Sequence, residues 1–348
     1  MILVTKWFGC FLCVEGRAAK SILFPMDASG ISDRLERIRN GEVLDEERRL
    51  AEGATRVVDR RLSEFGMVTR FDSSFLRPED YGFTLDLYRE ATIELAKRVV
   101  KSSIGADVYL GHAVRAYDDL VSTSNMLSER LYEWYSLHFP ELQEVLSPEK
   151  YVDAIADNGA RDVILSSMGT RMDSIGADID EEDLKSIRDL AEALRSGTSA
   201  RKGIEGYIDS RMRVVAPNVA SVAGPLIGAR LMMHAGSLKR LASMPSGTVQ
   251  LLGAEKAMFR HLKKKTRPPK HGILFQHSLV HTAPAWQRGP IAMALASKVS
   301  MAARADAYTQ NDISTSLHEQ LDARIEEIRK QRRSPPKKAA GKRRKGRR

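Results

Sequence analysis

Two kinds of apolar pattern divide the chain. Near its start, Trp7 to Val14 is an almost unbroken apolar run, closed by Glu15-Gly16 and followed by a second short run from Ser21 to Phe24. Runs of this length with no polar face predict strands buried on both sides. From Ser32 to Glu64 the apolar residues thin out to Leu35, Ile38, Leu44, Leu50 and Val57 among many charges, which is a helical spacing. Residues 1–105 therefore read as one small α/β domain.

The period then changes. Leu110, Ala113, Tyr117, Leu120, Ser124, Leu127, Leu131 and Trp134 alternate steps of three and four and stop before Pro140. A second series, Ile187, Leu190, Leu194, Gly197, Arg201, Ile204 and Ile208, follows the acidic stretch Asp180 to Asp183, which favours a helix start. Together they predict a long antiparallel helical coiled coil over residues 106–222, with a tip insertion at about 140–181. Gly197 and Arg201 weaken the second seam, and heptads alone leave a monomeric hairpin and a dimer equally open.

Pro217 and Gly224-Pro225 interrupt the pattern and mark a hinge into an all-α region, residues 223–330. The small residues between Pro217 and Met244, among them Ala220, Ala223, Gly228, Ala229, Ala235 and Gly236, suit closely packed short helices. A polar turn, Pro245 to Thr248, offers the hydroxyls of Ser246 and Thr248 and free backbone amides as candidate phosphate ligands. A helix from about Gly253 to Lys264 is followed by a Pro268-Pro269 loop and a short apolar element. A further helix opens at Gly289 with Pro290 at its first position and carries Ile291, Leu295, Val299 and Ala302. Met258, Phe259 and Trp286 are expected in the core. Leu317, Leu321, Ile325 and Ile328 define the last helix, and residues 331–348 read as a disordered basic tail. The expected fold class is α+β, mostly α.

Charge sharpens this picture. The net charge of +10 is not spread evenly: Arg329 to Arg348 holds twelve Lys/Arg and no acid, so residues 1–328 carry 43 basic side chains against 45 acidic ones. The other concentration runs from Gly253 to Arg288. There Lys256, Arg260, Lys263, Lys264, Lys265, Arg267, Lys270 and Arg288 face one acid, Glu255, and four of the eight histidines are interleaved. A polyanion is the expected partner, and a basic loop surface suits RNA phosphates and splayed bases. The tail adds a nucleic-acid arm without sequence preference.

At these residues the chain resembles a known family. GAEKAMFRHL, PPKHG, WQRG and AARADAY, with SERLYEWYSLHFPEL, VAPN and AGSLKRLASMP upstream, are similar to the archaeal Nop-domain scaffold proteins of box C/D small ribonucleoproteins, relatives of eukaryotic nucleolar proteins and a spliceosomal processing factor. The resemblance spans most of the chain. It implies a non-catalytic scaffold for guide-directed 2'-O-methylation of RNA. The amino-terminal domain would dock a fibrillarin-like methyltransferase, which would bring its own S-adenosylmethionine. The coiled coil would form a homodimer. The Nop domain would clamp a box C/D guide RNA already bound by an L7Ae-like kink-turn-binding protein. By motif, Gly253, Ala254, Glu255, Lys256, Phe259 and Arg260 would lie near the guide duplex. Lys270, His271, Gln287 and Arg288 would be further RNA contacts, and Ser246 and Thr248 would approach the RNA–protein composite. Pro290 stands where a basic residue is common in the family, and Met258 where leucine is usual.

The residues exclude several enzyme classes. No two glycines lie two apart, so the dinucleotide fingerprint is missing, as are the P-loop, GxSxG and HExxH. Glu255 alone has no acidic partner with which to hold catalytic metals. His277 and His281 stand four apart, but basic neighbours oppose a metal there, and both read as structural. Cys10 and Cys13 lie in the first apolar run and read as strand residues, not a zinc or redox pair. No signal peptide is evident, and no apolar run approaches the roughly 18 residues of a membrane span. A soluble, cytoplasmic protein with no membrane partner and no cofactor of its own is expected. The alternatives are a Nop-domain factor of a splicing-type particle, or an RNA-modifying or RNA-cleaving enzyme using Glu255 and the histidines.

Overall fold

The computed structural model describes residues 1–264 and 266–335, and the chain forms two compact units, Met1–Gly105 and a second that begins at Ala106. The first unit begins with β1 (Ile2–Lys6), β2 (Gly9–Val14) and β3 (Arg17–Leu23), continues through α1 (Ala28–Arg39), α2 (Asp45–Ala51), β4 (Arg56–Val57) and β5 (Met67–Val68), and closes with α3 (Leu85–Ser103). The sheet order is β3-β2-β1-β4-β5, antiparallel from β1 to β3 and parallel from β1 to β5. Gly9 to Cys13 are all buried, as a strand apolar on both faces should be. Trp7 and Phe8 are not part of that strand. They form the turn between β1 and β2, and Ile2 to Lys6, with Ile2 opposite Cys13, supply the strand that the apolar run left unmarked.

Helices α1 and α3 start on side-chain caps: Asp27 accepts from the Gly30 N–H (2.6 Å), and the Thr84 hydroxyl accepts from the Leu87 N–H (3.2 Å). One carboxylate, Glu47, is fully buried. It is matched by the Arg61 guanidinium, the Thr5 hydroxyl and the Leu44 N–H (2.8 Å), which is the pairing a buried charge requires. Cys10 and Cys13 are buried and free. Burial, reinforced by the nearby Glu47 charge, pushes the Cys10 thiol up to about 12, so it stays protonated and is a poor ligand or nucleophile.

The second unit is built on α4 (Ala106–Tyr135). After α5 (Leu142–Val145), α6 (Pro148–Asp157) and α7 (Arg161–Met168) comes α8 (Glu181–Val215), which returns along α4. Its first turn is set by Asp180, whose side chain accepts from the Asp183 N–H (2.8 Å). The two long helices are antiparallel. Leu110 and Val114 share a core with Ile208 and Met212, whereas Leu131 and Tyr135 share another with Ile187, Ala191 and Leu194. Leu110, Tyr117 and Leu131 are buried on the expected seam, but Val114 is buried where Ala113 was expected, and Tyr135 takes the place of Trp134, which is exposed; each follows a buried leucine by four residues and so lies on the same helix face.

Among the described residues ten further elements follow: α9 (Pro217–Ala223), α10 (Pro225–Ala235), α11 (Leu238–Ser243), α12 (Ser246–Leu251), α13 (Glu255–Lys264), a 3-10 turn (Ile273–Gln276), α14 (Ser278–His281), α15 (Arg288–Arg304), a π-helical turn (Ala305–Thr309) and α16 (Ser314–Gln331). Pro217 and Pro225 occupy first-turn positions of α9 and α10, where a missing N–H costs nothing, and one hydrophobic core continues across them from Leu110 to Ile328. α15 is its axis. Ile291, Leu295, Val299 and Ala302 are fully buried, although the helix begins two residues before Pro290, at Arg288.

Buried Asp306, in a π-helical turn (Ala305–Thr309) after α15, accepts from the Asn218 and Val219 N–H groups (3.1 and 2.9 Å) and from the Asn218 side-chain amide (2.6 Å). It thereby caps α9. Asn218 in turn accepts from the Ile313 N–H (2.8 Å) and donates to Asn311 O (2.9 Å). The VAPN and AARADAY segments are thus two halves of one buried polar lock.

Candidate nucleic-acid interface

The basic segment is positioned by α12. The Gly272 N–H donates to Gln250 O (2.9 Å), and the Ile273 N–H donates to Leu252 O (2.8 Å). The Gln250 side chain donates to Lys270 O (2.6 Å) and to Gly289 O (3.1 Å). One glutamine therefore fastens the PPKHG loop and the start of α15 to the same helix. The approach is so close that a Cβ at Gly272 would lie 1.9 Å from Leu252 O, so only glycine fits. Arg230, on α10, holds the far side: its guanidinium donates to Gln276 and Asp118 and lies over the Tyr117 ring, 5.7 Å from the centroid.

α13 contains no buried residue. Lys256, Arg260, Lys263 and Lys264 are exposed, and so is Phe259, at 62 % of its surface. The expectation that Met258 and Phe259 lie in the core is corrected here. Met258 is half-buried, and exposed Phe259 borders an open groove of about 520 Å³ between α12 and α13, which it lines together with Leu251, Leu252, Met258 and Leu262. Gly253 turns the chain into this helix with φ +80°, a conformation that favours glycine. Its N–H donates to Glu255 Oε1 (2.7 Å), and His234 Nδ1 lies 3.7 Å from the same oxygen. Burial pushes the Glu255 carboxyl up, but this hydrogen bond, the residue's own N–H and His234 outweigh it and hold the group below its ordinary value. Glu255 is thus a charged helix-start residue inside the basic surface. Half-buried Ala254 directly precedes the helix and accepts from the Met258 N–H (2.9 Å).

The other expected contacts divide. Thr248 is exposed and Ser246 half-buried, but the Thr248 and Val249 amides are not free: both donate to Pro245 O (2.9 and 3.1 Å). Lys270 is exposed. His271 stacks on Phe275 (4.6 Å, 16°), and the Arg288 guanidinium lies over that same ring at 5.3 Å. Burial, then the charges of Arg288 and Lys270, hold the His271 imidazole below its usual range, so it is a neutral ring at pH 7. Arg288 also donates to Ala283 O (2.9 Å) and His281 O (3.2 Å), which fixes its orientation. Gln287 departs from the expectation of an RNA contact. It is buried and donates to Arg332 O (2.8 Å), and half-buried Trp286 donates to the same oxygen (3.0 Å). WQRG therefore closes onto the carboxyl end of α16. His277 caps α14 through the Leu279 N–H (3.3 Å).

Gln250 and Arg230 hold this surface in place, yet neither was singled out by sequence. A polar residue inside the apolar run TVQLL and one charge inside PLIGARLMM were the signals available. Lys265 and residues 336–348, most of the expected basic arm, lie outside the described residues.

Known proteins resemble this chain in sequence. The Nop family model, described as "snoRNA binding domain, fibrillarin", matches residues 116–327. The chain belongs to the Nop family. A NOP5 family protein of Methanocaldococcus jannaschii is 41% identical over 253 residues, covering 68% of this chain and 61% of the relative. Nucleolar protein 58 of Neurospora crassa is 39% identical over 219 residues, covering 59% of this chain and 37% of that protein. Nucleolar protein 58 of Candida albicans is 37% identical over 228 residues, with 59% and 42% covered. The chain spans less than two thirds of the length of each of these relatives. A solved structure of a fibrillarin/Nop5p complex aligns with 94% of this chain and 100% of its own, at 22% identity and a TM-score of 0.39. No described helix of this Nop-family chain is long and apolar enough to cross a membrane.

Proposed function

We propose that this chain is a non-catalytic scaffold of a box C/D guide ribonucleoprotein that directs 2'-O-methylation of RNA. In this reading the unit Met1–Gly105 docks a fibrillarin-like methyltransferase, α4 and α8 pair two copies, and the surface made by α12, α13 and the PPKHG loop grips guide RNA beside an L7Ae-like kink-turn-binding protein. Nop-family membership supports the RNA and fibrillarin parts of this reading. The observation that carries it is α13: a helix with no buried residue, an exposed Phe259, and Lys256, Arg260, Lys263 and Lys264 in solvent. An exposed aromatic costs solubility unless a partner covers it, and among cations the fitting partner is a base on a phosphate backbone. Lys270 and neutral His271 extend the same chemistry from the neighbouring loop, the lysine as a phosphate ligand and the ring as a hydrogen-bonding group.

Gel shifts on a box C/D kink-turn RNA, with and without the kink-turn-binding protein and in the presence of competitor RNA, test this function. A supershift that requires that protein supports recognition of a composite surface. Lys256→Glu with Arg260→Glu should abolish the supershift, and Phe259→Ala should weaken it by about 1–3 kcal/mol, the usual worth of one base–aromatic stack, while leaving the melting temperature in place. Equal retention of RNA by the charge-reversed protein sinks the assignment of α13.

A further inference from the structure

The seam between α4 and α8 changes character in its middle. Towards one end it is filled by Leu110, Val114, Ile208 and Met212, and towards the other by Leu131, Tyr135, Ile187 and Leu194. Between them Val121, Leu127 and Ile204 are interrupted by small and polar residues, Ser124, Ser128, Gly197, Thr198 and Arg201. Ser124 faces Gly197, with room to spare: a Cβ on the glycine would lie 3.9 Å from the serine hydroxyl, and Arg201 lies one turn further along α8. A cavity of about 350 Å³ opens there, lined by Ser124, Ser128, Thr198 and Arg201 from the two long helices and by Glu149 and Asp153 from α6.

Three cations border this cavity, and two of them are matched. Lys202 pairs with Glu149 (3.2 Å), and Arg195 pairs with Asp157 and Glu192. The Arg201 side chain makes no hydrogen bond or ion pair with any described residue; its Nε is shielded from solvent, while the side chain as a whole is half-buried. A buried donor without an acceptor is destabilising, and a cation at a coiled-coil seam position costs stability relative to an apolar residue. An arrangement of that kind is accounted for when the missing acceptor is a ligand. The ligand must bring negative charge to Arg201, accept from hydroxyl donors on both helices, and be compact enough for the cavity. Glu149 is already neutralised by Lys202, so Asp153, on α6, is the one carboxylate of the lining that opposes an anion.

We propose that the groove between α4 and α8 is an oxyanion site, with Arg201 as its charged ligand and Ser124, Ser128 and Thr198 as hydroxyl donors, and that it takes a phosphate group. The planar guanidinium can present two N–H groups to two phosphate oxygens, which a lysine at the same place cannot do. The phosphate can be a free ion or a residue of an RNA backbone. The site lies on the helical pair and does not depend on α13, so it stands or falls separately from the proposed RNA surface.

Isothermal titration of inorganic phosphate into the full chain, at constant ionic strength and against a chloride control, reads this directly. Saturable binding tighter than about 10 mM, weakened about tenfold or more by Arg201→Leu, is the expected result. Thr198→Val with Ser124→Ala should weaken it as well, and that pair keeps the test decisive if the leucine variant fails to fold. No saturable binding by the parent chain, or binding unchanged in both variants, overturns the proposal. A single-stranded RNA added in competition separates the sources. Displacement of phosphate, with RNA affinity reduced by Arg201→Leu, assigns a backbone phosphate. Undisturbed phosphate binding assigns the free ion.

Discussion

Gly272→Ala places a methyl group where Leu252 O now lies 1.9 Å from the ideal Cβ position, with Leu252 C at 2.8 Å. Carbon–oxygen contacts settle well beyond 3 Å, so the PPKHG loop must withdraw from α12 by about 1 Å or more. Two hydrogen bonds of 2.9 and 2.8 Å, from the Gly272 and Ile273 N–H groups, cannot follow that movement. Each contributes about 1 kcal/mol net. Loosening of fully buried Leu274 adds about 1 kcal/mol more. A total of about 3 kcal/mol in a unit of this size lowers the melting temperature by about 10 °C. The same withdrawal carries Lys270 and His271 off the surface, so RNA affinity should fall about tenfold, equivalent to about 1.4 kcal/mol. Circular dichroism melts and fluorescence anisotropy with a guide-type RNA read the two effects. Gly247→Ala is the control, because an added methyl there meets nothing within 4 Å. If Gly272→Ala melts with the parent and binds RNA equally well, the loop is not held by this approach and the site geometry argued from it is wrong.

Two other expectations follow from buried groups. Asp306→Ala removes the acceptor for two backbone N–H groups and the Asn218 amide, and should cost about 3–5 kcal/mol, read as a drop of about 10 °C or more in the melting temperature; a drop of about 1 °C would show that α9 needs no such cap. His271 and His277 are both held below the ordinary histidine value of 6.5, by burial first; for His271 the charges of Arg288 and Lys270 add to it, and for His277 a hydrogen bond to the Val222 backbone partly offsets it. The unfolded chain therefore binds protons that the folded rings resist, so stability present above pH 6.5 is lost as pH falls through that value toward the folded pKa. RNA binding should respond in the opposite sense, because phosphate beside His271 favours its protonated form. Melts and affinities compared between about pH 7.5 and 5.5 check both signs, and His271→Gln should flatten the affinity response.

Much of the architecture was legible in the chain. The β2 run, the two long helices, the acid cap of α8, and the α15 and α16 stripes follow from patterns that backbone geometry alone imposes: period two or none for strands, three to four for helices, and caps where orphan N–H groups must be satisfied. The concentration of cations between Gly253 and Arg288 was equally visible, because charge is a property of composition. Contacts over long separations were not. Whether Phe259 is core or surface depends on what α13 packs against, and its amphipathic pattern is the same in either case. Gln287 was expected to reach RNA, yet the carboxyl end of α16 buries it on Arg332 O, 45 residues later. Asp306 and Asn218 read as two unrelated motifs until the fold brings together residues 88 positions apart. The sequence by itself determined which segments are helix or strand and where positive charge gathers, since both are local. Only the tertiary structure decided which polar side chains are occupied by the protein's own backbone and which are left facing out, because a hydrogen bond made inside the chain is one that a ligand cannot use.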